Sequence, residues 1–414
     1  MPISMFTSQP SPIAIDFGAA SVKVLQLGSG DDPGLVSACE VAIPESARMD
    51  VGKRLEYLAE ELPKALRKGK FKGRRATCAI PGAHTFVQHF QAPTSGGADP
   101  DEYIRTQLQV YTGMSPGNMV IRTVNVTDAI HESGPIRETI CFAVPRDVVM
   151  RYIDLIKRCR LEASSVHSEQ QAMVWAYGHL HRRQGDDRIT NLFVDLGWSG
   201  TRVAISHGAS LVFAKGIPIG GWHFDQRIAD TLHCDLATAR AHRVAAAEES
   251  LRAATLAGSR AATTGSAILD TGLIRAHEAR EAGAVSTAVA TDRRGAGRPR
   301  SLLEAGERTG TALAPGGVDC GDLVDSIVDE LAMCLRYHQS FFESRPASRV
   351  IFTGGEARQL ELCRVIAERL ELPAMLGDPL ARVKVEGGDA GNVAFGRVQP
   401  GWSVACGLCA GSDQ

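Results

Sequence analysis

Nowhere in the chain is there a run of about 18 to 20 uncharged apolar residues, so no membrane-spanning helix is expected. Net charge is also nearly absent, with 45 Lys and Arg against 47 Asp and Glu. A general nucleic-acid binder would carry a basic excess, so that class is set aside. The opening MPISMFTSQPSP has neither the basic nor the apolar region of a secretion signal, and a cytoplasmic location is expected. The ten cysteines suit reduced thiols in a chain of this length, not a disulfide framework. Cys406 and Cys409 form a CxxC, but no second pair stands at metal-ligand spacing, and they read as small buried residues on a closing helix. HExxH, GxxxxGK[ST] and GxGxxG are all missing, which removes the metalloprotease, P-loop and Rossmann readings.

What is present is long and patterned. With 414 residues, 44% of them apolar, the chain has material for about two to four domains. It opens with a strand at 13–18, a small-residue turn and a second strand at 21–28, the pattern of a half-buried hairpin. Leu55, Leu58, Leu62 and Leu66 recur at helical spacing and predict a helix over 51–68. Residues 70–145 read as a small inserted α+β unit, and 146–190 as the return to the first half. A basic run at 64–75 begins in the last turn of that helix and reads as its solvated end and a linker.

At 191 the opening pattern restarts. Ile13-Ala14-Ile15-Asp16-Phe17-Gly18 and Leu192-Phe193-Val194-Asp195-Leu196-Gly197 share one plan of apolar strand, Asp, apolar residue and Gly, 179 positions apart (195 − 16). A repeat of that length implies a duplicated domain rather than a solenoid. The second half is expected over 191–254 and 318–414, split by an Ala/Gly/Arg-rich insertion at 255–317 with no core-forming pattern.

Three glycine-bearing turns follow three apolar strands, and they carry the chemistry. The first is Asp16-Phe17-Gly18-Ala19-Ala20-Ser21 with Lys23 beyond; the second is Asp195-Leu196-Gly197-Trp198-Ser199-Gly200-Thr201; the third is Thr353-Gly354-Gly355. Small residues let backbone N–H groups approach phosphate oxygens, and the hydroxyls of Ser21, Ser199 and Thr201 add donors. Asp16 and Asp195 are placed to hold a hydrated Mg²⁺ between the halves, an ion that keeps several waters and takes few protein ligands. A strand-to-helix turn at Gly354 and Gly355 suits adenosine or a phosphate.

Taken in order, these turns resemble the actin/sugar-kinase/chaperone ATPase superfamily. Within it, IAIDFGAASVKVLQLG, VPRDVVMRYIDLIKRCRLEASSV, VDLGWSGTRVAI…GIPIGG, VIFTGGEARQLELCRVIAERLELP and WSVACGLCAG resemble the PilM family of type IV pilus assembly proteins. The resemblance covers nearly the whole chain outside 255–317. It implies an α/β fold of duplicated actin-like (ribonuclease H-like) domains with a small α+β subdomain beside the first half. It implies ATP and Mg²⁺ in the cleft between the halves, held by the three turns together with Gly220 and Gly221. The Lys23 amine would meet the phosphates. Where members often carry an aspartate this chain has His167, which leaves Glu169 or Gln170 to orient a water, with a helix-capping role as the alternative. It further implies a PilN-like membrane protein's N-terminal tail as partner, alongside other inner-membrane pilus assembly proteins, with self-assembly open. The chain departs from the family at Arg240 and Arg243, where members carry an acidic residue and a lysine, which removes an acceptor for ribose hydroxyls.

Two rivals share the core. A sugar-kinase-type phosphotransferase or true ATPase would need a general-base Asp in a sugar pocket, and 70–180 holds no such motif. An FtsA-like filament protein would end in an amphipathic membrane helix, a face the segment 406–414 lacks.

Overall fold

The computed structural model describes residues 10–30, 32–95, 99–131, 134–181, 185–246, 318–395 and 397–411. The insertion expected at 255–317 lies outside the described residues.

Two five-stranded sheets repeat one plan. In the first, β1 (Ile13–Phe17) pairs antiparallel with β2 (Ser21–Leu27), which pairs with β3 (Leu35–Ala42). On the other side of β1 lie β4 (Arg75–Ile80) and β8 (Glu162–Ser168), both parallel. The second sheet has β9 (Thr190–Leu196), β10 (Thr201–His207) and β11 (Ser210–Ile217) as its meander. Its parallel strands are β12 (Arg349–Thr353) and β13 (Ala374–Leu376). Each central strand is buried on both faces, which is why β1 and β9 read as short apolar runs.

The helix Val51–Lys68 forms as its periodicity predicts, capped by Asp50, whose side chain accepts from the Lys53 N–H. It buries Leu58 and Leu62 against the first sheet, alongside Tyr152 and Leu155 of the helix Arg146–Arg158.

The small inserted sheet consists of β5 (Phe86–Pro93), β6 (Met119–His131) and β7 (Gly134–Pro145), with the helix Pro100–Thr112 on one face. Here the expected boundary at residue 70 needs correction. The strand β4, grouped with the inserted unit from sequence, pairs with β1 and belongs to the first sheet. The insertion also reaches beyond the first half, because Ile140 and Phe142 of β7 share a core with Leu211 and Ala214 of β11.

The segment assigned from sequence wholly to the second half returns to the first. After β13 the chain bridges at Lys384 to Gly34 and at Asp389 to Ser37. The closing helix Ser403–Ala410 then packs on the helix Glu169–Ala176 and on β1. Contact there is tight: a Cβ at Gly407 would fall inside the Ala172 carbonyl oxygen. Cys406 and Cys409 lie buried on that helix, with burial pushing the Cys409 thiol up to about 12, so they are packing residues. Among the described residues no helix is long and apolar enough to cross a membrane.

Candidate functional site

The two hairpins meet at the seam between the halves. Gly18 opens the first turn, where a Cβ would stand 2.7 Å from the Ser21 carbonyl oxygen. In the second, Gly197 donates its N–H to Gly200 at 3.1 Å. The third turn needs glycine for its backbone: Gly354 has φ +91°, and a Cβ would press on Leu196.

Ladder register decides what faces each aspartate. Asp16 stands opposite Lys23 in the first hairpin, and Asp195 opposite Arg202 in the second. The two bases then diverge. Lys23 turns to Ser21 and Glu40: its Nζ lies 3.2 Å from Ser21 Oγ, and that hydroxyl donates to Glu40 Oε1 at 2.5 Å. Arg202 turns into the seam. Its Nε donates to Glu169 Oε2 at 2.7 Å and its Nη1 to Asp195 Oδ1 at 3.3 Å.

Glu169 and Asp195 are both buried and both engaged. Besides Arg202, Glu169 Oε2 accepts the Gly82 N–H at 2.6 Å, while Asp195 Oδ2 accepts from Thr353 Oγ1 at 3.1 Å. Ser168, not Glu169, caps the following helix by accepting the Gln171 N–H. Asp16 is buried as well, and loss of hydration pushes its carboxyl up to about 7, against the pull of Lys23 and with further push from Glu169 and Asp195. Burial raises Glu169 too, opposed chiefly by Arg202. Flanked by these carboxylates, the Arg202 guanidinium is held above its ordinary value despite burial.

Several of the other groups expected at the phosphates are engaged within the protein. Thr201 Oγ1 donates to the Ile219 carbonyl at 2.8 Å. At the start of the helix Gly221–Leu232, the N–H groups of Gly221 and Trp222 bond the carbonyls of Gly197 and Trp198 at 3.0 and 2.8 Å. Gly220 is required at that junction, since a Cβ would lie 2.5 Å from Gly197 O. Ala19 and Ala20 complete the first turn, and Ser199 is half-buried in the second. Trp198 is buried with the Arg48 guanidinium 5.4 Å from its ring centroid, a cation–π contact from one half to the other.

A second buried cluster lies behind Gly354 and Gly355. Arg243 donates through Nε to Asp225 Oδ1 and through Nη1 to Glu356 Oε2, both at 2.6 Å. Glu356 crowds Gly221, where a Cβ would stand 2.5 Å from the carboxyl carbon. The cavity bounded by Gly197, Gly220, Gly221, Arg243 and Glu356 holds about 10 Å³, room for a single water. Adenosine does not fit that space while Arg243 and Glu356 stand there. Mg²⁺ meets competition at Asp195, one of its two expected ligands, because both carboxylate oxygens there already accept, from Arg202 and from Thr353. Among the described residues no group of three metal-ligating side chains stands close enough to hold an ion.

The structure thus gathers Asp16, Asp195, Glu169, Gly18, Gly197, Gly220, Gly221, Gly354 and the glycine turns around one seam, with Gly355 beside it. Lys23 and Ser21 pair with Glu40, while Lys23 remains the leading positive charge acting on Asp16. Sequence reasoning missed Arg202 and Glu356. The signal for the first was available, since 23 + 179 = 202 places Arg202 in the repeat where Lys23 stands.

No family model and no curated protein matches the chain. Solved structures do. A chain of a PilM–PilN type IV pilus biogenesis complex is 15% identical over 98% of this chain and 99% of its own, with a TM-score of 0.65. The ethanolamine utilization protein EutJ from Carboxydothermus hydrogenoformans is 10% identical over 97% and 89%, with a TM-score of 0.44. MreB5 of Spiroplasma citri bound to ADP is 11% identical over 97% and 95%, with a TM-score of 0.41. At such identities the likeness is one of fold. The duplicated α/β architecture with its inserted subdomain is the actin-like fold, and in fold the chain is PilM-like.

Proposed function

We propose that this chain is a cytoplasmic scaffold of a type IV pilus or related secretion or competence machine, peripheral at the inner membrane through a partner. One observation carries the reading: the actin-like plan, inserted subdomain included, superposes along almost the full length of both chains on a component of a PilM–PilN complex. A PilN-like membrane protein's N-terminal tail is the proposed partner. Its proposed seat is on the inserted subdomain, where Arg105, Arg122 and Arg146 line a surface cleft of about 300 Å³. Three guanidiniums there favour a segment that offers carboxylate or carbonyl oxygens.

Fluorescence anisotropy of labelled N-terminal tails from single-span membrane proteins encoded beside this chain tests the reading. One tail should bind, and Arg122→Glu should weaken it. Failure of every tail to bind would remove the pilus assignment and leave the fold alone.

A second reading keeps ATP and Mg²⁺ as a conformational ligand that sets the shape of the partner groove. The glycine turns and the three clustered carboxylates favour it, and it requires Arg202 and Arg243 to leave their present places. A ligand shifts such an equilibrium only by its differential affinity for the two shapes.

A further inference from the structure

Three acidic side chains from three elements converge at the seam: Asp16 on β1, Asp195 on β9 and Glu169 at the start of the helix after β8. Buried at under a tenth of their free exposure, they would repel one another without a cation among them. In a phosphate-binding cleft a divalent ion supplies that charge. Here the charge comes from the chain. Arg202 bonds Glu169 of the first half and Asp195 of the second, so the guanidinium that pairs two of the three carboxylates also ties the halves together, while Lys23 acts on Asp16. Its planar fork suits this, because it meets two carboxylates along separate N–H directions. The position is built for it: the guanidinium lies on the bare Cα of Gly197, and any side chain there would collide with Nη1.

We infer that Arg202 is a built-in cation standing in for a divalent metal, and that it holds the cleft shut across the halves without Mg²⁺ or a metal-borne triphosphate. This does not rest on the pilus reading. It concerns the cleft, whatever machine the chain serves.

Calorimetric titration and thermal melting with Mg²⁺, with Mn²⁺, and with ATP in the presence or absence of Mg²⁺ test the inference. They are run at about pH 8, where Asp16 is mostly ionised. The wild type should neither take up metal nor change its melting midpoint. Arg202→Ser should melt lower in metal-free buffer, bind Mn²⁺ at least about tenfold more tightly than the wild type, and regain several degrees on adding the ion. Adding Asp16→Asn to that variant should abolish the rescue. A folded Arg202→Ser protein that stays blind to metal would overturn the inference. So would wild-type binding of Mg²⁺ or Mg-ATP that Asp16→Asn removes. Should Arg202→Ser fail to fold, the wild type and the charge-preserving Arg202→Lys decide alone: both must be metal-blind, and uptake by either sinks the idea.

Discussion

Arg202 faces Asp195 across the second hairpin, its Nη1 3.3 Å from Asp195 Oδ1, in the ladder position that Lys23 holds opposite Asp16 in the first. Duplication has placed a base at the same register in both halves, and the surroundings have divided their roles. Lys23 pairs with Glu40 of its own half, while Arg202 reaches Glu169 in the other.

Removing Arg243 should cost far more than removing an exposed arginine. Arg243→Ala strands the Asp225 and Glu356 carboxylates in the core, and breaking a buried pair from one side costs about 3–5 kcal/mol. Arg364→Ala removes a surface pair with Glu361 and should cost about 0–1 kcal/mol. Urea denaturation of both variants reads the difference. Comparable midpoints would show that the Arg243 cluster is hydrated and weak.

Asp16→Asn should change stability with pH in a defined direction. The folded carboxyl sits at about 7, above its unfolded value of 3.8, so the folded state holds the proton more tightly. That contribution is complete below about pH 4 and is lost as pH rises through about 7. The variant does not lose it, so its stability relative to the wild type should climb between those limits and level off above. A flat difference in melts across the range would contradict this.

The His207–His338 pair should act with the opposite sign. Their Nε2 atoms lie 2.9 Å apart, and burial lowers each to about 4, aided for His207 by His338 and Arg345. Stability from keeping them neutral is present above their ordinary value near 6.5 and is lost as pH falls through about 4. His207→Leu should flatten the acid limb of a melting-versus-pH curve. An unchanged limb would assign the acid sensitivity elsewhere.

Two glycines make a matched test of packing. Gly407→Ala drives a methyl into the Ala172 carbonyl and should destabilise by about 1–3 kcal/mol or more, whereas a Cβ at Gly355 meets nothing within 4 Å. Gly355→Ala should therefore melt close to the wild type. Equal losses would mean that the closing helix slides to accommodate the methyl.

Tyr337→Phe should loosen the inserted subdomain from the second half. The hydroxyl donates to buried Glu138 Oε1 at 2.8 Å, and the same oxygen lies 2.7 Å from His89 Nδ1. Losing a hydrogen bond to such a group costs about 1.5–3 kcal/mol. Faster amide exchange over 134–145, with the first sheet unchanged, is the expected signature.

Much of this was legible in the sequence, for identifiable reasons. Both hairpins declare themselves because a buried central strand ending in Asp-x-Gly carries its apolar run and its turn in one short segment. What stayed hidden depends on partners far along the chain. Arg202 reads as an ordinary charged position on an alternating strand, and only Glu169, 33 positions earlier, shows that it points inward. Arg243 stands out in the sequence as a departure, yet its partners lie 18 and 113 positions away. The strand β4 was grouped with the wrong sheet because a short apolar run carries no record of which neighbour it pairs with.

The return of the closing helix to the first half bears on how the protein is made. Cys409 Sγ meets the Leu25 carbonyl across 384 positions, and Trp402 and Leu408 complete the core that Ala14 and Leu25 begin. At about 5–20 residues per second, a ribosome needs on the order of 20 to 80 s to travel between them. Throughout that interval the floor of β1 and β2 awaits its cover. The nascent chain therefore presents an unfinished apolar surface to chaperones, and the first half reaches its final packing only once the closing helix has emerged.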